Sequence, residues 1–283
     1  MKKSVSIWSF FGAHDLQGKM RLAARSGFEG FEIDLSEDGP LNFKSTAEDF
    51  QAIRAMADKE GLRLSGLASG LYWGANPASA DPATRDRARQ ILARQIVCAG
   101  ALGIDAILVV PGSVGVDFIP GCEVVDYDVA WTRAKDFIAE AVPSAARTGV
   151  HIGIENVWNK FLLSPLEMAA FIDQFGSEMV GAYFDVGNAL ATGYPEQWIR
   201  ILGKRIRRVH FKDYRRNVGS ADGFCDLLSG DVDWKAVVAA LRMAGYDGWV
   251  TAEMIPPVPF YKHCPDVLIE NSARAMDAIL AIP

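Results

Sequence analysis

The chain has 283 residues, half of them hydrophobic, with 29 Lys and Arg against 35 Asp and Glu for a formal net charge of −6. That length suits one α/β barrel, which commonly takes about 250 residues, and the acidic balance argues against a nucleic-acid partner, because phosphate binding needs clustered Lys and Arg. No apolar run approaches the roughly 20 residues that span a bilayer; with scattered cysteines at 98, 122, 225 and 264, no Cys-x-x-Cys pair and no secretory leader after Met1, a soluble cytoplasmic protein with free thiols is expected, with no membrane partner.

In chain order, residues 5–10 read as a first strand, followed by a loop at 12–14 and a helix over 15–25 that Ser26-Gly27 ends, glycine being suited to the left-handed cap. Residues 28–35 form the second strand. The helix over 45–60 carries Phe50, Ile53, Met56 and Ala57 at helical spacing and stops at Gly61. The third strand, 62–67, opens into Gly70-Leu-Tyr-Trp-Gly74, a loop with exposed aromatics. Asp81-Pro82, as N-cap and first helical residue, starts a helix that runs to 102. The fourth strand is 106–110, stopped by Pro111-Gly112, and a helix covers 126–148.

The fifth strand ends at Glu155, and Ser164-Pro165 begins a helix to 175. The sixth strand ends at Asp185, a short helix covers 195–202, and the seventh strand, 206–211, carries His210. A helix over 233–244, an eighth strand over 249–254 and a closing helix over 266–280 complete the chain. Eight strands alternating with helices, each connection long enough for a parallel crossover, predict a (β/α)8 TIM barrel, one domain over residues 1–283. No Gly-x-Gly-x-x-Gly follows the first strand, which weakens a doubly wound dinucleotide fold.

In a barrel the C-terminal strand ends converge on one pocket. Glu155, Asp185, His210 and Glu253 all stand at such ends. A lone acid there is ordinarily a cap, but four ionisable groups, each behind an apolar run, need a charge partner that one metal ion supplies. Three carboxylates and an imidazole form an oxygen-rich set suited to one divalent ion, Mn2+, Mg2+ or Co2+ foremost and Zn2+ after them.

The motifs Ile154-Glu155-Asn156, Phe184-Asp185-Val-Gly-Asn188, Val209-His210-Phe-Lys212-Asp213 and Thr251-Ala-Glu253 resemble the strand-end motifs of the xylose-isomerase-like superfamily. Within it they resemble the sugar phosphate isomerase/epimerase branch, which includes tagatose and psicose 3-epimerases and hexulose-6-phosphate isomerases. The resemblance implies one divalent ion on Glu155, Asp185, His210 and Glu253. It further implies that Glu155 and Glu253 are paired acid/base groups of a 3-epimerase, acting on a ketose, ketose phosphate or keto sugar acid through a metal-stabilised cis-enediolate. An aldose–ketose isomerase or an inosose-type dehydratase would use the same site. An apurinic-site endonuclease would need three metals and more than the four histidines here, and a non-catalytic sugar-binding barrel would leave the acids idle. Where the ketohexose epimerases carry a second Glu and a His that touch substrate, this chain has Phe161 and Asn188. That points away from a free ketohexose and toward a sugar acid or sugar phosphate.

Other candidates surround the ends. Trp8 and Trp158 suit pocket walls, since rings stack on the apolar face of a sugar. His14 and Lys160 lie in loops of the same rim. Glu32 ends the second strand, either to contact ligand or to orient a metal ligand. Asn156 and Asn188 are expected to orient loops or sugar hydroxyls. Lys212 is expected to neutralise substrate oxyanions or donate to Glu155. Arg216 matches a substrate-contacting Arg of the resembled epimerases and suits a carboxylate or phosphate. The resemblance also implies a homodimer or homotetramer with a small-molecule sugar as substrate.

Overall fold

Helices begin where the sequence supplies an acceptor for the free N–H groups of a first turn. Asp15 accepts from Gly18 N at 2.7 Å ahead of α1 (Leu16–Arg25). Thr46 and Asp49 form a reciprocal capping box at α2 (Ala47–Lys59). Asp81 caps α3 (Pro82–Leu102), Ser164 caps α5 (Pro165–Asp173) and Asp233 caps α8 (Trp234–Met243). The remaining helices are α4 (Tyr127–Thr148), α6 (Val186–Leu190), α7 (Pro195–Leu202) and α9 (Pro265–Leu280). Gly27 and Gly61, just past the ends of α1 and α2, take φ of +93° and +72°, as the expected left-handed stops require.

In the computed structural model, which describes residues 1–255, 261 and 263–283, these helices surround a closed parallel barrel. Its strands are β1 (Lys2–Ser6), β2 (Gly30–Asp34), β3 (Arg63–Ala68), β4 (Ala106–Val109), β5 (His151–Glu155), β6 (Val180–Asp185), β7 (Ile206–Phe211) and β10 (Trp249–Ala252). They follow one another around the barrel, and β10 closes it between β7 and β1. The expected (β/α)8 architecture is therefore present. Among the described residues, no helix is long and apolar enough to cross a membrane.

Three local expectations are corrected. The first strand is Lys2–Ser6 rather than 5–10, because the Ser6 hydroxyl accepts from Trp8 N and coils Ile7–Ser9 into a single 3-10 turn. A small antiparallel ladder, β8 (Asp213–Tyr214) with β9 (Phe224–Cys225), stands on the loop after β7; two-residue strands leave no periodicity to read. Tyr72, taken from sequence as exposed, is buried, its hydroxyl donating to Gln95 Oε1 at 2.9 Å.

Candidate metal centre

The adjacent strands β5, β6, β7 and β10 deliver Glu155, Asp185, His210 and Glu253 to one rim. Glu155 and Asp185 are the last residues of their strands. Glu253 lies one residue past β10, its N–H still bonded to Phe211 O at 3.2 Å. One ligand atom from each of the four lies within 4.8 Å of the others, and all four side chains are buried.

The local backbone fixes each rotamer. Asp185 caps the five-residue α6, accepting from Asn188 N at 2.6 Å through Oδ1, which turns Oδ2 toward the cluster. Asn156 holds Asp185 from the side, donating to its carbonyl and accepting from its N–H, both at 2.8 Å, so that its amide extends the β5–β6 ladder by one step. Asn188 donates to Asn156 O at 3.0 Å and lies 3.5 Å from Glu155 Oε1. His210 Nε2 is 3.0 and 3.1 Å from the two Glu32 oxygens, and the Tyr183 hydroxyl donates to one of them. A carboxylate only accepts, so Nε2 carries a proton and Nδ1 faces the cluster.

Nδ1 stands 3.2 Å from Glu253 Oε2 and 3.8 Å from Asp185 Oδ2. These three atoms are buried and none has a partner in good hydrogen-bond geometry; charge compensates them instead, since buried ionised groups need a counter-charge. Their convergence is what a cation requires. The group fits a single divalent metal ion, held by hard oxygens and one imidazole.

The Lys212 ammonium also reaches the cluster, at 3.3 Å from Asp185 Oδ2 and in contact with Glu253 Oε2. Burial would lower the Lys212 pKa, but the charges of Asp185, Glu253 and Glu155 outweigh it and drive the pKa upward. Burial would likewise depress His210, whose pKa Glu32 and Glu253 raise well above that of a free imidazole. Glu155 is pushed up to about 8, by burial first and then by the charge of Glu253. Burial raises Glu253 too, yet the adjoining Lys212 and His210 cations prevail and hold it at about 2.

Beside the cluster lies a cavity of about 320 Å³, lined among others by Asn156, Trp158, Lys160, Asn188, Tyr214 and Arg216. Trp158 is fixed by Nε1 on Asn188 O at 3.2 Å and packs edge-on to Tyr214, with ring centroids 5.3 Å apart. Arg216 lies 4.7 Å over the Tyr194 ring, and Lys160 pairs with Asp117 at 2.6 Å.

The structure chooses between the roles left open for Glu32 and Asn156 and corrects the expectations for Lys212, Trp8 and His14. Glu32 is fully buried with both oxygens on protein partners, so it supports His210 and offers no surface to a substrate. The Asn156 amide is consumed by Asp185, leaving it a wall of the cavity rather than a donor to sugar hydroxyls. Lys212 bonds Asp185 and Glu253, not Glu155. Trp8 donates to Asp34 at 3.3 Å and His14 pairs with Asp266 at 2.7 Å; neither lines the cavity that Trp158 lines. Phe161 is buried against Tyr127, Trp131 and Phe171.

Two residues escaped sequence reasoning. Tyr183, inside an apolar strand, reads as core. Asp213 accepts from Tyr214 N, Leu228 N, Val232 N and Trp234 Nε1 at 2.9–3.2 Å, so it organises the loop that carries Arg216 and Phe224. Its place in the His-Phe-Lys-Asp motif was the available signal.

The chain matches the family of xylose isomerase-like TIM barrels over residues 20–276, and it belongs to that family. Among curated proteins, an inosose dehydratase of Geobacillus thermodenitrificans is 27% identical over 147 residues, 45% of this chain and 49% of that protein. The chain thus aligns with less than half the length of that relative. A D-psicose 3-epimerase of Clostridium cellulolyticum H10, solved with D-tagatose, superposes with a TM-score of 0.83 at 17% identity over 100% of this chain and 99% of its own. The IolI protein, solved with a bound zinc atom, superposes with a TM-score of 0.80 at 16% identity over 99% and 98%. At these identities the superpositions establish the fold.

Proposed function

We propose that the protein is a divalent-metal-dependent sugar isomerase of the epimerase type. It would invert the carbon next to the carbonyl, C3, of a ketose, ketose phosphate or keto sugar acid. The observation that carries this reading is the convergence of one ligand atom each from Glu155, Asp185, His210 and Glu253, all buried, within 4.8 Å of one another. Glu155, Asp185, His210 and Glu253 would hold the ion, Mn2+, Mg2+ or Co2+ by their oxygen-rich chemistry, with Zn2+ as in IolI the further candidate. When bound, such an ion acts as a Lewis acid on the substrate carbonyl and neighbouring hydroxyl, easing loss of the adjacent C–H proton.

The chain supplies the proton transfers. One of Glu155 and Glu253 takes the proton from the reacting carbon and the other returns one, inverting that carbon. Asn188, bridging Glu155 and the cavity, and Trp158, as its wall, would position the sugar. Lys160 and Arg216 at the same cavity favour a substrate with a carboxylate or phosphate. Free thiols at Cys98, Cys122, Cys225 and Cys264 fit a reducing cytoplasm.

The inosose dehydratase relative supports a second reading, loss of water from an inosose on the same site. Deuterium wash-in from D2O separates the two. Ketoses, ketose phosphates, keto sugar acids and inososes are incubated with Mn2+-loaded protein and read by mass spectrometry and NMR. An epimerase exchanges one C–H and yields the epimer; a dehydratase yields a product lighter by water. Glu155→Gln and Glu253→Gln should abolish exchange while leaving the melting curve cooperative. Normal turnover by both Gln variants, or no exchange with any substrate class, would refute the proposal.

A further inference from the structure

The interior of the barrel below the cluster contains a side chain whose placement required two strands to give up theirs. Tyr183 of β6 points into the barrel, fully buried, with its hydroxyl on Glu32 and its ring edge-on to His210, centroids 4.9 Å apart at 73°. A Cβ on Gly153 of β5 would stand 2.7 Å from the Tyr183 ring. A Cβ on Gly66 of β3 would overlap the Tyr183 hydroxyl and come within 3.2 Å of Glu32 Oε2. The two glycines leave room for this ring, and Gly153 also clears the carbonyl of Ile107, 2.9 Å from where its Cβ would stand.

From this we infer that Tyr183 is a positioning residue for metal binding, acting through Glu32 and His210. The inference rests on the proposed metal site. A carboxylate facing an imidazole can rotate about its last torsion, and its strength as an acceptor sets which imidazole nitrogen stays bare. Tyr183 gives Glu32 Oε2 a donor from inside the barrel and blocks that rotation. Nε2–H of His210 then stays on Glu32, and Nδ1 stays aimed at Asp185 Oδ2 and Glu253 Oε2. The ring also closes the space into which the imidazole would otherwise tilt.

The test is Mn2+ titration of chelator-stripped full-length protein by calorimetry, with the electron paramagnetic resonance of the bound ion as a second readout. Variants are Tyr183→Phe, Gly66→Ala and the double variant. Loss of a supporting hydrogen bond of this kind ordinarily weakens metal binding by about 10- to 100-fold. Tyr183→Phe should weaken Mn2+ by at least about 10-fold and broaden its resonance. Gly66→Ala, which pushes the hydroxyl off Glu32, should do the same. The double variant should bind no more weakly than the poorer single, because removing the hydroxyl relieves the clash at Gly66. A role in packing alone would lower the melting temperature without moving affinity or resonance, and that result overturns the inference. Should one single variant melt too low to titrate, wild-type affinity in the other overturns it equally. Failure of the wild-type chain to bind any of Mn2+, Mg2+, Co2+ or Zn2+ overturns the proposed function and this inference together, whereas a metal-binding wild type with an unaffected Tyr183→Phe overturns this inference alone.

Discussion

Replacing Lys212 by Met keeps the length and apolar stem of the side chain and removes its charge. The ammonium is buried, 3.3 Å from Asp185 Oδ2 and in contact with Glu253, in a cluster that also contains Glu155. Removing one partner of a buried ion pair costs about 3–5 kcal/mol, because the charge left behind has no compensation. At about 2 °C per kcal/mol for a chain of this size, the chelated variant should melt roughly 6–10 °C below the chelated wild type. A divalent ion supplies the missing charge, so Mn2+ should raise the melting temperature of Lys212→Met by more than it raises that of the wild type. Differential scanning fluorimetry with chelator and with Mn2+ reads both shifts. Carboxylates left without the ammonium can also recover by taking up protons, so the deficit should be larger at pH 8 than at pH 6. A chelated variant that melts within about 2 °C of wild type would show that Lys212 is not the counter-charge of these acids.

Glu155 predicts a second pH effect. Its carboxyl is pushed up from 4.5 to about 8 in the folded chain. Between those pH values the metal-free folded state holds a proton that the unfolded chain has lost, so stability falls as pH rises through the window; chelated melts from pH 5 to 9 check the sign. Mn2+ affinity should climb over the same range, since a ligating carboxylate must shed its proton. Asp213→Asn removes from β8 the charged acceptor that holds the loop ahead of α8 and should cost about 2 kcal/mol, with faster proteolytic cleavage within residues 215–232; unchanged cleavage would deny Asp213 its organising role. Burial pushes the Cys98 and Cys225 thiols up to about 11, so at pH 8 they should resist a chromogenic disulfide reagent that the exposed Cys264 consumes, and react once the protein is denatured.

The alternation of apolar strands with capped helices made the barrel legible, because Asp81-Pro82, Ser164-Pro165 and Asp233 carry their helix starts in their own side chains. The acids at the strand ends were legible for a related reason. A carboxylate closing an apolar run needs a partner wherever the chain folds, and three of them, with His210, meet on one rim of the parallel strands. What stayed illegible lay in side chains whose roles depend on distant partners. Lys212 was expected to meet substrate oxyanions or Glu155, and in the fold it pairs with Asp185 and Glu253. Glu32 was open to ligand or to a metal ligand, and Asn156 to loops or sugar hydroxyls; packing spends their polar atoms on His210 and Asp185.

The sequence by itself determined the architecture and the four ligand-type side chains that close β5, β6, β7 and β10, since each depends on local spacing and on one residue's chemistry. Only the tertiary structure decided which ligand atoms converge, which nitrogen of His210 faces them, and that Tyr183 enters the barrel through a slot made by Gly66 and Gly153. Those outcomes depend on contacts between strands up to 178 positions apart, as for Glu32 and His210, which no periodicity along the chain encodes.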